Sequence, residues 1–404
     1  MDFAFTEDEE RLRAEIKAFI ARHLTPEVKA ELIAEREGHG RGPLAAAFFR
    51  DIYERGWLGV SWPKQYGGQG AGRFAQYIVE EEFYRAGQLV IGGGGTGVPA
   101  VLAAGTEEQK RYYVPGSIRR EISFCQGYSE PHCGTDLAGI RCRATRHGEI
   151  FIINGQKIYT TGAQAATHIY LMVRTDPNST RHAGLSILLV PMNTPRITIR
   201  PLWTIQSDPP APLKTTYGEP RTNEVFFDNV EVPATCLLGA EGDGWAVAQR
   251  GLNLDRVGAW RHLISVMRDE DIVNLIKKDE PPTEGLRQDP RVRDKLAELW
   301  TEGQVCRLMT MRSLSLEQRG GRFKYEGSAE KVWAPEHGVR ATEAISQILG
   351  PYAQLLNGSP HAIDNGVFAH NLLGAFQSTV NHGSVQVMRD QVARKGLGMP
   401  KSRN

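Results

Sequence analysis

The strongest constraint on the fold of this chain is a hydrophobic period that changes twice along the sequence. Up to about Glu121, apolar residues recur every three or four positions, which is typical of amphipathic helices. From there to Pro233 they alternate with polar residues, as in half-buried strands, and after Pro233 the helical period returns. This order predicts an α+β protein in which helices precede and follow one β domain.

The 404 residues are too many for one small core, so we place the domain boundaries where the period changes. The expected units are an N-terminal helical domain over 1–120, a mainly antiparallel middle β domain over 121–236 and a C-terminal four-helix bundle over 237–404. A proline-rich insertion over 206–220 is predicted to be irregular, and the sequence assigns it no role.

Local signals place the helices of the outer domains. Thr6 with Glu9 and Thr106 with Gln109 are capping boxes, and Pro115 is expected to end the second of these helices. In the C-terminal domain, helical spacing predicts helices over Gly244 to Met267, Asp289 to Gln318, Ala329 to Leu349 and Ile363 to Lys395.

Alternating sequence predicts the strands of the middle domain, over Ile122 to Gln126, Gly139 to Thr145, Ile150 to Ile153, His168 to Arg174, Leu185 to Pro191, Ile197 to Pro201 and Glu224 to Val232. The dipeptides His147-Gly148 and Asn154-Gly155 are typical of hairpin turns. Gly92 to Gly97 formally contains a dinucleotide-binding GxGxxG pattern. Helical sequence precedes it and no βα repeat follows, so a Rossmann fold is disfavoured.

The charge balance and the cysteines exclude several classes of protein. With 48 basic and 47 acidic residues, the chain lacks the electrostatic attraction that nucleic-acid binding needs. No apolar run is long enough to span a membrane. The five cysteines form no CxxC pair, so we expect reduced thiols, no metal site and a cytoplasmic location.

Two polar, glycine-bearing segments of the middle domain form the candidate ligand surface. They are Gln126 to Asp136 and Lys157 to Gly162, and alternating sequence joins them. Their main-chain groups and small hydroxyls suit a flat polar ligand. Cys133 follows His132, but we interpret it as a structural thiol rather than a nucleophile.

Local sequences along the whole chain resemble those of the acyl-CoA dehydrogenase family. No single one is sufficient, but their order and spacing together are specific. The matching segments are Trp62 to Gly68, Gly105 to Lys110, Ser129-Glu130-Pro131 with Gly134-Thr135-Asp136, Asn154 to Lys157, and Asn223 to Val230.

The resemblance implies an FAD-dependent enzyme that oxidises an acyl-CoA thioester, with a bulky, branched or cyclic acyl group, to the 2-enoyl-CoA. In this family a carboxylate removes the α-proton, and the β-hydrogen leaves as a hydride to N5 of the flavin. An electron-transfer flavoprotein or a similar acceptor then takes the electrons. The resemblance also implies a homodimer or homotetramer, or a heteromer whose chains share the site residues.

By the same resemblance, the expected flavin contacts of the middle domain are Tyr128, Ser129, Thr135, Tyr159 and Thr161. Thr135 is also expected to contact the thioester substrate. The usual family segment is Thr-Glu-Pro-Gly-Ala-Gly-Ser-Asp, so Ser129 and Thr135 keep the hydroxyls, whereas His132 and Cys133 are bulkier than Gly-Ala. Tyr159 stands where a tryptophan usually covers the flavin.

The catalytic base departs from the commonest family pattern. His382 replaces the glutamate of the usual Glu-Gly-Thr-x-Gln segment, in which Ser384 and Gln386 keep the flavin-contacting positions. The other family position for the base is the helix after the β domain, where this chain has Asp255 followed by Arg256. We therefore expect Asp255 to be the base and Arg256 to bind CoA, with His382 as the alternative base.

Two further departures affect the part of the flavin site that the family builds across a dimer. The Arg-x-x-Phe-Gly segment is absent, and Gln-x-x-Gly-Gly appears as Gln347-Ile348-Leu349-Gly350-Pro351. Gln347 and Gly350 remain expected flavin contacts, but Pro351 removes a backbone donor. Two alternatives therefore stay open: a base- or flavin-deficient partner subunit of a heteromer, and a flavin oxidase or monooxygenase on the same fold.

Overall fold

The computed structural model describes residues 3–36, 40–87, 89, 91, 97–204, 222–255, 259–321, 323–356 and 358–401. The N-terminal part is helical, as the helical period predicts. Its helices are α1 (Glu7–His23), α2 (Pro26–Arg36), α3 (Pro43–Glu54), α4 (Arg73–Gly87), α5 (Gly97–Ala104) and α6 (Glu107–Ile118).

Both predicted capping boxes are present, at the starts of α1 and α6. The prediction that Pro115 ends α6 is wrong, because the helix continues to Ile118. A proline within a helix removes one backbone hydrogen bond. Val114 and Ile118 on either side of it are buried, and their packing offsets that loss.

One sheet forms the middle part of the chain. Its strands are β1 (Phe124–Gly127), β2 (Arg143–His147), β3 (Ile150–Lys157), β4 (His168–Arg174), β5 (Leu185–Pro191), β6 (Ile197–Pro201), β7 (Asn223–Pro233) and β8 (Leu237–Leu238). The strand order is β6-β7-β3-β2-β4-β5-β8, and β1 also pairs with β4. Only β1 and β2 run parallel to β4, so the sheet is mainly antiparallel as predicted.

The dipeptide Asn154-Gly155 does not form a hairpin turn, contrary to the prediction. It lies inside β3, at a bulge where the pairing with β7 shifts, and Gly155 has a φ of 145° that side chains rarely allow. The predicted hairpin between β2 and β3 is present, with its turn at Gly148-Glu149, because His147 is still paired with Ile150. The strand predicted from Gly139 begins only at Arg143, because Leu137–Gly139 is a 3₁₀ turn.

The C-terminal part is a helical bundle made of α7 (Gly244–Asp255), α8 (Ala259–Lys278), α9 (Pro290–Gln318), α10 (Glu326–Leu349), α11 (Val367–Gly374), α12 (Gln377–Val380) and α13 (Val385–Gln391). The prediction of one helix over Ile363 to Lys395 is wrong. His382 and Gly383 have φ angles of 50° and 90°, and residues in this left-handed region end a helix. Every described helix is too short or too polar to cross a membrane.

A buried ion cluster joins α8, α9 and α10. His337 is fully buried, with Nδ1 2.8 Å from a carboxylate oxygen of Glu302 and Nε2 2.9 Å from one of Asp269. Burial alone would lower the pKa of His337, but the hydrogen bonds and charges of Asp269 and Glu302 outweigh it and raise the pKa. Arg340 also pairs with Glu302 at 2.9 Å, so two cations face two carboxylates.

The raised pKa of His337 predicts a pH-dependent contribution to stability. The contribution is fully present below the unfolded pKa of about 6.5 and is lost as pH rises through the raised folded pKa. His337→Gln should therefore lower Tm more at pH 6 than at pH 9, with a loss of about 3 kcal/mol at pH 6. Thermal unfolding across this range tests it, with exposed His147→Gln as the control; equal losses at both pH values would contradict it.

Candidate functional site

The two polar segments predicted to form the ligand surface lie side by side at the ends of β1 and β3. The carbonyl of Ser129 accepts a hydrogen bond of 2.9 Å from the N–H of Ile158. Tyr128 is buried, Ser129 is half-buried and Thr135 is exposed. The structure therefore brings the predicted contacts of the first segment next to the start of the second.

The second segment presents an aromatic ring from an unfavourable backbone conformation. Tyr159 is 64% exposed, and its φ of 58° lies in the left-handed region. Thr161 is exposed, with its hydroxyl 3.4 Å from that of Thr222. Thr160 is fully buried, and its hydroxyl has no hydrogen-bond partner among the described residues. An exposed ring, an exposed hydroxyl and a strained backbone together fit a surface that a ligand covers.

A buried ion pair holds these two segments together. Lys157 is fully buried at the end of β3, and its ammonium donates to the carboxylate of Glu130 at 2.7 Å and to the carbonyl of Tyr128 at 3.1 Å. The same carboxylate accepts hydrogen bonds from the N–H groups of Arg141 and Cys142. Because both charges are out of water, these bonds must satisfy them, and they fix the first segment against β3.

Glu130, His132 and Cys133 place one donor atom each within 4.8 Å of one another, which is close enough for a divalent cation. The carboxylate of Glu130 is already paired with the ammonium of Lys157, so its charge is balanced without a metal. We keep the prediction that the chain has no metal site. Burial, together with the charge of Glu130, raises the pKa of the Cys133 thiol, which fits its predicted structural role.

The helix predicted to carry the catalytic base is docked directly on the sheet. Gly244 starts α7 so close to β5 that a Cβ atom there would lie 2.5 Å from the Cα of Ser186. The helix ends at Asp255. The side chain of Asp255 and all of Arg256 lie outside the described residues, so their roles stay predictions. The insertion over 206–220 lies outside them as well.

The predicted flavin contacts of the bundle lie at two different places along α10. At the start of α10, Ser328 donates to Gln391 at the end of α13 at 3.0 Å, and further along α10 Glu336 pairs with the earlier Arg389 at 2.7 Å, so the two helices run antiparallel. Ser384, whose hydroxyl caps α13, therefore lies beside the first half of α10. Gln347 lies at the other end of α10, roughly 28 Å from Ser328 at the usual helical rise of about 1.5 Å per residue, and Gly350 follows that end. Ser384 lies further along α10 than Ser328 does, so its distance from Gln347 is shorter.

Exposure also differs among these bundle residues. His382 and Gln386 are exposed on either side of buried Ser384, and His382 lies in the left-handed turn before α13. Gln347 is exposed, and a Cβ atom added to Gly350 would meet nothing within 4 Å. The bundle thus offers two separate polar groups, one at the start of α13 and one at the end of α10.

Removing the ammonium of Lys157 should destabilise the chain strongly. Lys157→Met leaves the Glu130 carboxylate buried without a counter-charge, at an expected cost of about 3–5 kcal/mol. Adding Glu130→Gln should recover part of that loss, since no charge is then left buried. Chemical or thermal unfolding of the two single variants and the double variant measures the coupling.

The control is Lys110→Met, because Lys110 pairs with Glu107 on the surface at 3.2 Å. That change should cost less than about 1 kcal/mol. If the losses in Lys157→Met and Glu130→Gln simply add in the double variant, the buried pair is not coupled as its geometry indicates.

Helices, one mainly antiparallel sheet, a helical bundle and a hydroxyl-lined surface at the sheet together define one class of protein. Three family descriptions match the chain in this order: the acyl-CoA dehydrogenase N-terminal domain over 6–121, the middle domain over 125–230 and the C-terminal domain over 242–397. The chain belongs to the acyl-CoA dehydrogenase family and is an oxidoreductase of that type. Members of this family typically bind FAD.

Full-length relatives agree with this assignment. The chain is 31% identical to acyl-CoA dehydrogenase FadE26 of Mycobacterium tuberculosis, with 100% of both chains covered, and 32% identical to FadE29 of the same organism, with 98% of both covered. Among solved structures, it matches the Tcur3481-Tcur3483 steroid ACAD with a TM-score of 0.84 and 30% identity, covering 100% of both chains. It matches the ChsE4-ChsE5 complex from M. tuberculosis with a TM-score of 0.83 and 29% identity, also over 100% of both chains.

Glu130 and Lys157 both lie in the matching family segments, but their pairing was not predicted from the sequence. A signal was present in the strand pattern. Lys157 lies an even number of residues after buried Phe151 and Ile153 in β3, so its side chain points to the same, buried face of the strand. A lysine at an inward position requires a buried acceptor.

Proposed function

We propose that this chain is an FAD-dependent acyl-CoA dehydrogenase that converts an acyl-CoA thioester to the 2-enoyl-CoA. The observation that carries the proposal is the joined surface of Ser129, Tyr159 and Thr161, which the Glu130–Lys157 pair fixes in place. Family membership supports the reaction type, and the surface supports flavin binding by this particular chain.

The residues of the middle domain fit the flavin ring. The ring of Tyr159 would stack on one face of it, and the hydroxyls of Ser129, Thr135 and Thr161 would bond with its polar edge, next to buried Tyr128. When bound, FAD supplies the acceptor for the β-hydride. Stacking and hydrogen bonding would hold the ring. A bound substrate that excludes water from the site would strengthen both interactions.

We assign the two polar groups of the bundle to the rest of the cofactor. Ser384 and Gln386 form one group, and Gln347 and Gly350 form the other. Because these groups lie at different places along α10, and the family resemblance implies a flavin site built across a dimer, we assign them to two chains that share one FAD. This separation supports a dimer or a higher oligomer as the active form.

Asp255 is the proposed base for the α-proton, Arg256 is the proposed CoA contact, and His382 is the alternative base. A carboxylate in an apolar slot between helix and substrate acquires the raised pKa that proton abstraction at neutral pH requires. Aspartate is one methylene shorter than the usual glutamate, so the substrate must lie closer to α7.

We propose a bulky, branched or cyclic acyl group for the substrate. Support comes from the solved structure described as a steroid ACAD, which is similar over the whole chain. A ring-bearing thioester is therefore the first substrate to test. An electron-transfer flavoprotein as acceptor and a cytoplasmic location accompany this proposal.

A partner subunit of a heteromeric dehydrogenase is the second candidate. The structure described as the ChsE4-ChsE5 complex supports it, as do His382 and Pro351 at positions where the family usually has glutamate and glycine. A flavin oxidase has weaker support, since the structural neighbour described as an oxidase is 20% identical and shows the fold alone.

The base assignment predicts which variant loses the chemical step. Asp255→Asn should slow anaerobic bleaching of the flavin by a steroid-ring acyl-CoA at least about 100-fold, because the α-proton has no acceptor. His382→Gln should change the rate by less than about threefold. Asp294→Asn, on the exposed face of α9, is the matched control.

The opposite ranking of the two variants would assign the base to His382. A colourless protein that gains flavin only when co-expressed with a homologous chain would favour the partner-subunit candidate. Straight-chain and branched acyl-CoAs tested beside the steroid-ring ester decide the substrate class.

Replacing Tyr159 should weaken flavin binding while leaving the stability of the apoprotein almost unchanged. Tyr159→Gly relieves the left-handed strain but adds chain entropy to the unfolded state, so apoprotein stability should change by less than about 1 kcal/mol. Flavin affinity should fall about tenfold because a stacked ring is lost. Thermal unfolding and flavin titration measure the two effects, and unchanged flavin affinity would remove Tyr159 from the site.

A further inference from the structure

A single side chain at the end of β4 ties together segments on both sides of the proposed substrate site. The guanidinium of Arg174 donates five hydrogen bonds, one from each of its N–H groups. Its acceptors are the carbonyls of Ala138 at 2.9 Å, Ile140 at 3.1 Å, Arg181 at 3.0 Å and Ala183 at 3.0 Å, and the hydroxyl of Ser179 at 3.0 Å. A side chain with every donor used fixes its neighbours as well as itself.

The first of these segments continues directly from Thr135. The carboxylate of Asp136 caps the following turn by accepting from the N–H of Ala138 at 3.3 Å. His132 reaches the same turn, with Nε2 3.0 Å from the carbonyl of Gly139. Arg174 therefore holds the turn between the two points where the Glu130 carboxylate anchors this segment, at its start and at Arg141 and Cys142.

The second segment leads to α7. His182 stacks on Trp245, with ring centroids 4.0 Å apart. Burial and the neighbouring Arg181 lower the pKa of His182, and the charge of Asp136 acts against them. Trp245 is the second residue of α7, immediately after the start of that helix on β5.

We propose that Arg174 is a positioning residue that sets the distance between the Thr135 side and the α7 side of the acyl-CoA site. This inference rests on the proposed function and takes Thr135 as the expected thioester contact on one side and Asp255, at the end of α7, as the proposed base on the other. Lysine is no substitute, because its three N–H groups radiate from one atom and do not span two segments as a planar fork does. Arg174 touches no reacting atom and acts only through the backbone that it holds.

The test compares Arg174→Gln and Arg174→Lys in the full-length holoprotein. Both variants should increase amide hydrogen exchange over 136–140 and 179–183, and both should raise KM for the acyl-CoA about tenfold. The kcat and the flavin content should change less than about twofold, because the flavin surface has its own anchor. Arg143→Gln is the matched control: Arg143 pairs with Arg174 across β2 and β4, but its side chain is exposed.

Ser179→Ala provides a milder variant if loss of the guanidinium prevents folding. It removes one of the five acceptors and should shift KM in the same direction by about two- to threefold. Faster exchange with an unchanged KM, while Thr135→Ala does raise KM, would overturn the positioning role alone. If neither Thr135→Ala nor the Arg174 variants move KM, the proposed substrate site is wrong, and the role of Arg174 falls with it.

Discussion

The surface of the sheet domain depends on one buried ion pair, Glu130 with Lys157. Moving two charges out of water is costly, and their attraction offsets that cost only where the remaining lone pairs and protons find partners. Here they do, through the carbonyl of Tyr128 and the N–H groups of Arg141 and Cys142. These bonds join the segment after β1, the segment before β2 and the end of β3. A turn-rich stretch, which would otherwise be mobile, becomes a fixed surface.

Hydrophobic period alone predicted most of the fold, because it reports which face of an element is buried. Three strands, β4, β5 and β6, have the bounds that alternation predicts. The errors share another cause. In each case a local sequence signal was overridden by packing. The turn dipeptide Asn154-Gly155 lies at a bulge, and Pro115 lies inside a helix. The helix predicted across His382 is broken there.

Some residues of the candidate site could be predicted from the sequence, and others could be found only in the structure. Resemblance supplied Tyr128, Ser129, Tyr159 and Thr161, and the structure places those segments together. The parity of Lys157 within β3 could have revealed its buried partner. The role of Arg174 could not be found in this way, because four of its five acceptors are backbone carbonyls, which any residue provides. Contacts to the backbone leave no sequence signature, so only the folded chain shows them.

Two of the candidate site residues, Tyr159 and His382, have a strained backbone conformation. Tyr159 and His382 both have a φ in the left-handed region, where a residue with a Cβ atom costs roughly 1–2 kcal/mol relative to glycine-like freedom. Histidine is found there more often than tyrosine, so the cost at 382 is the smaller one. The proposed stacking of the ring of Tyr159 on a bound ligand would offset that cost. Asp255 ends α7, and its assignment as the base rests on the resemblance to the family.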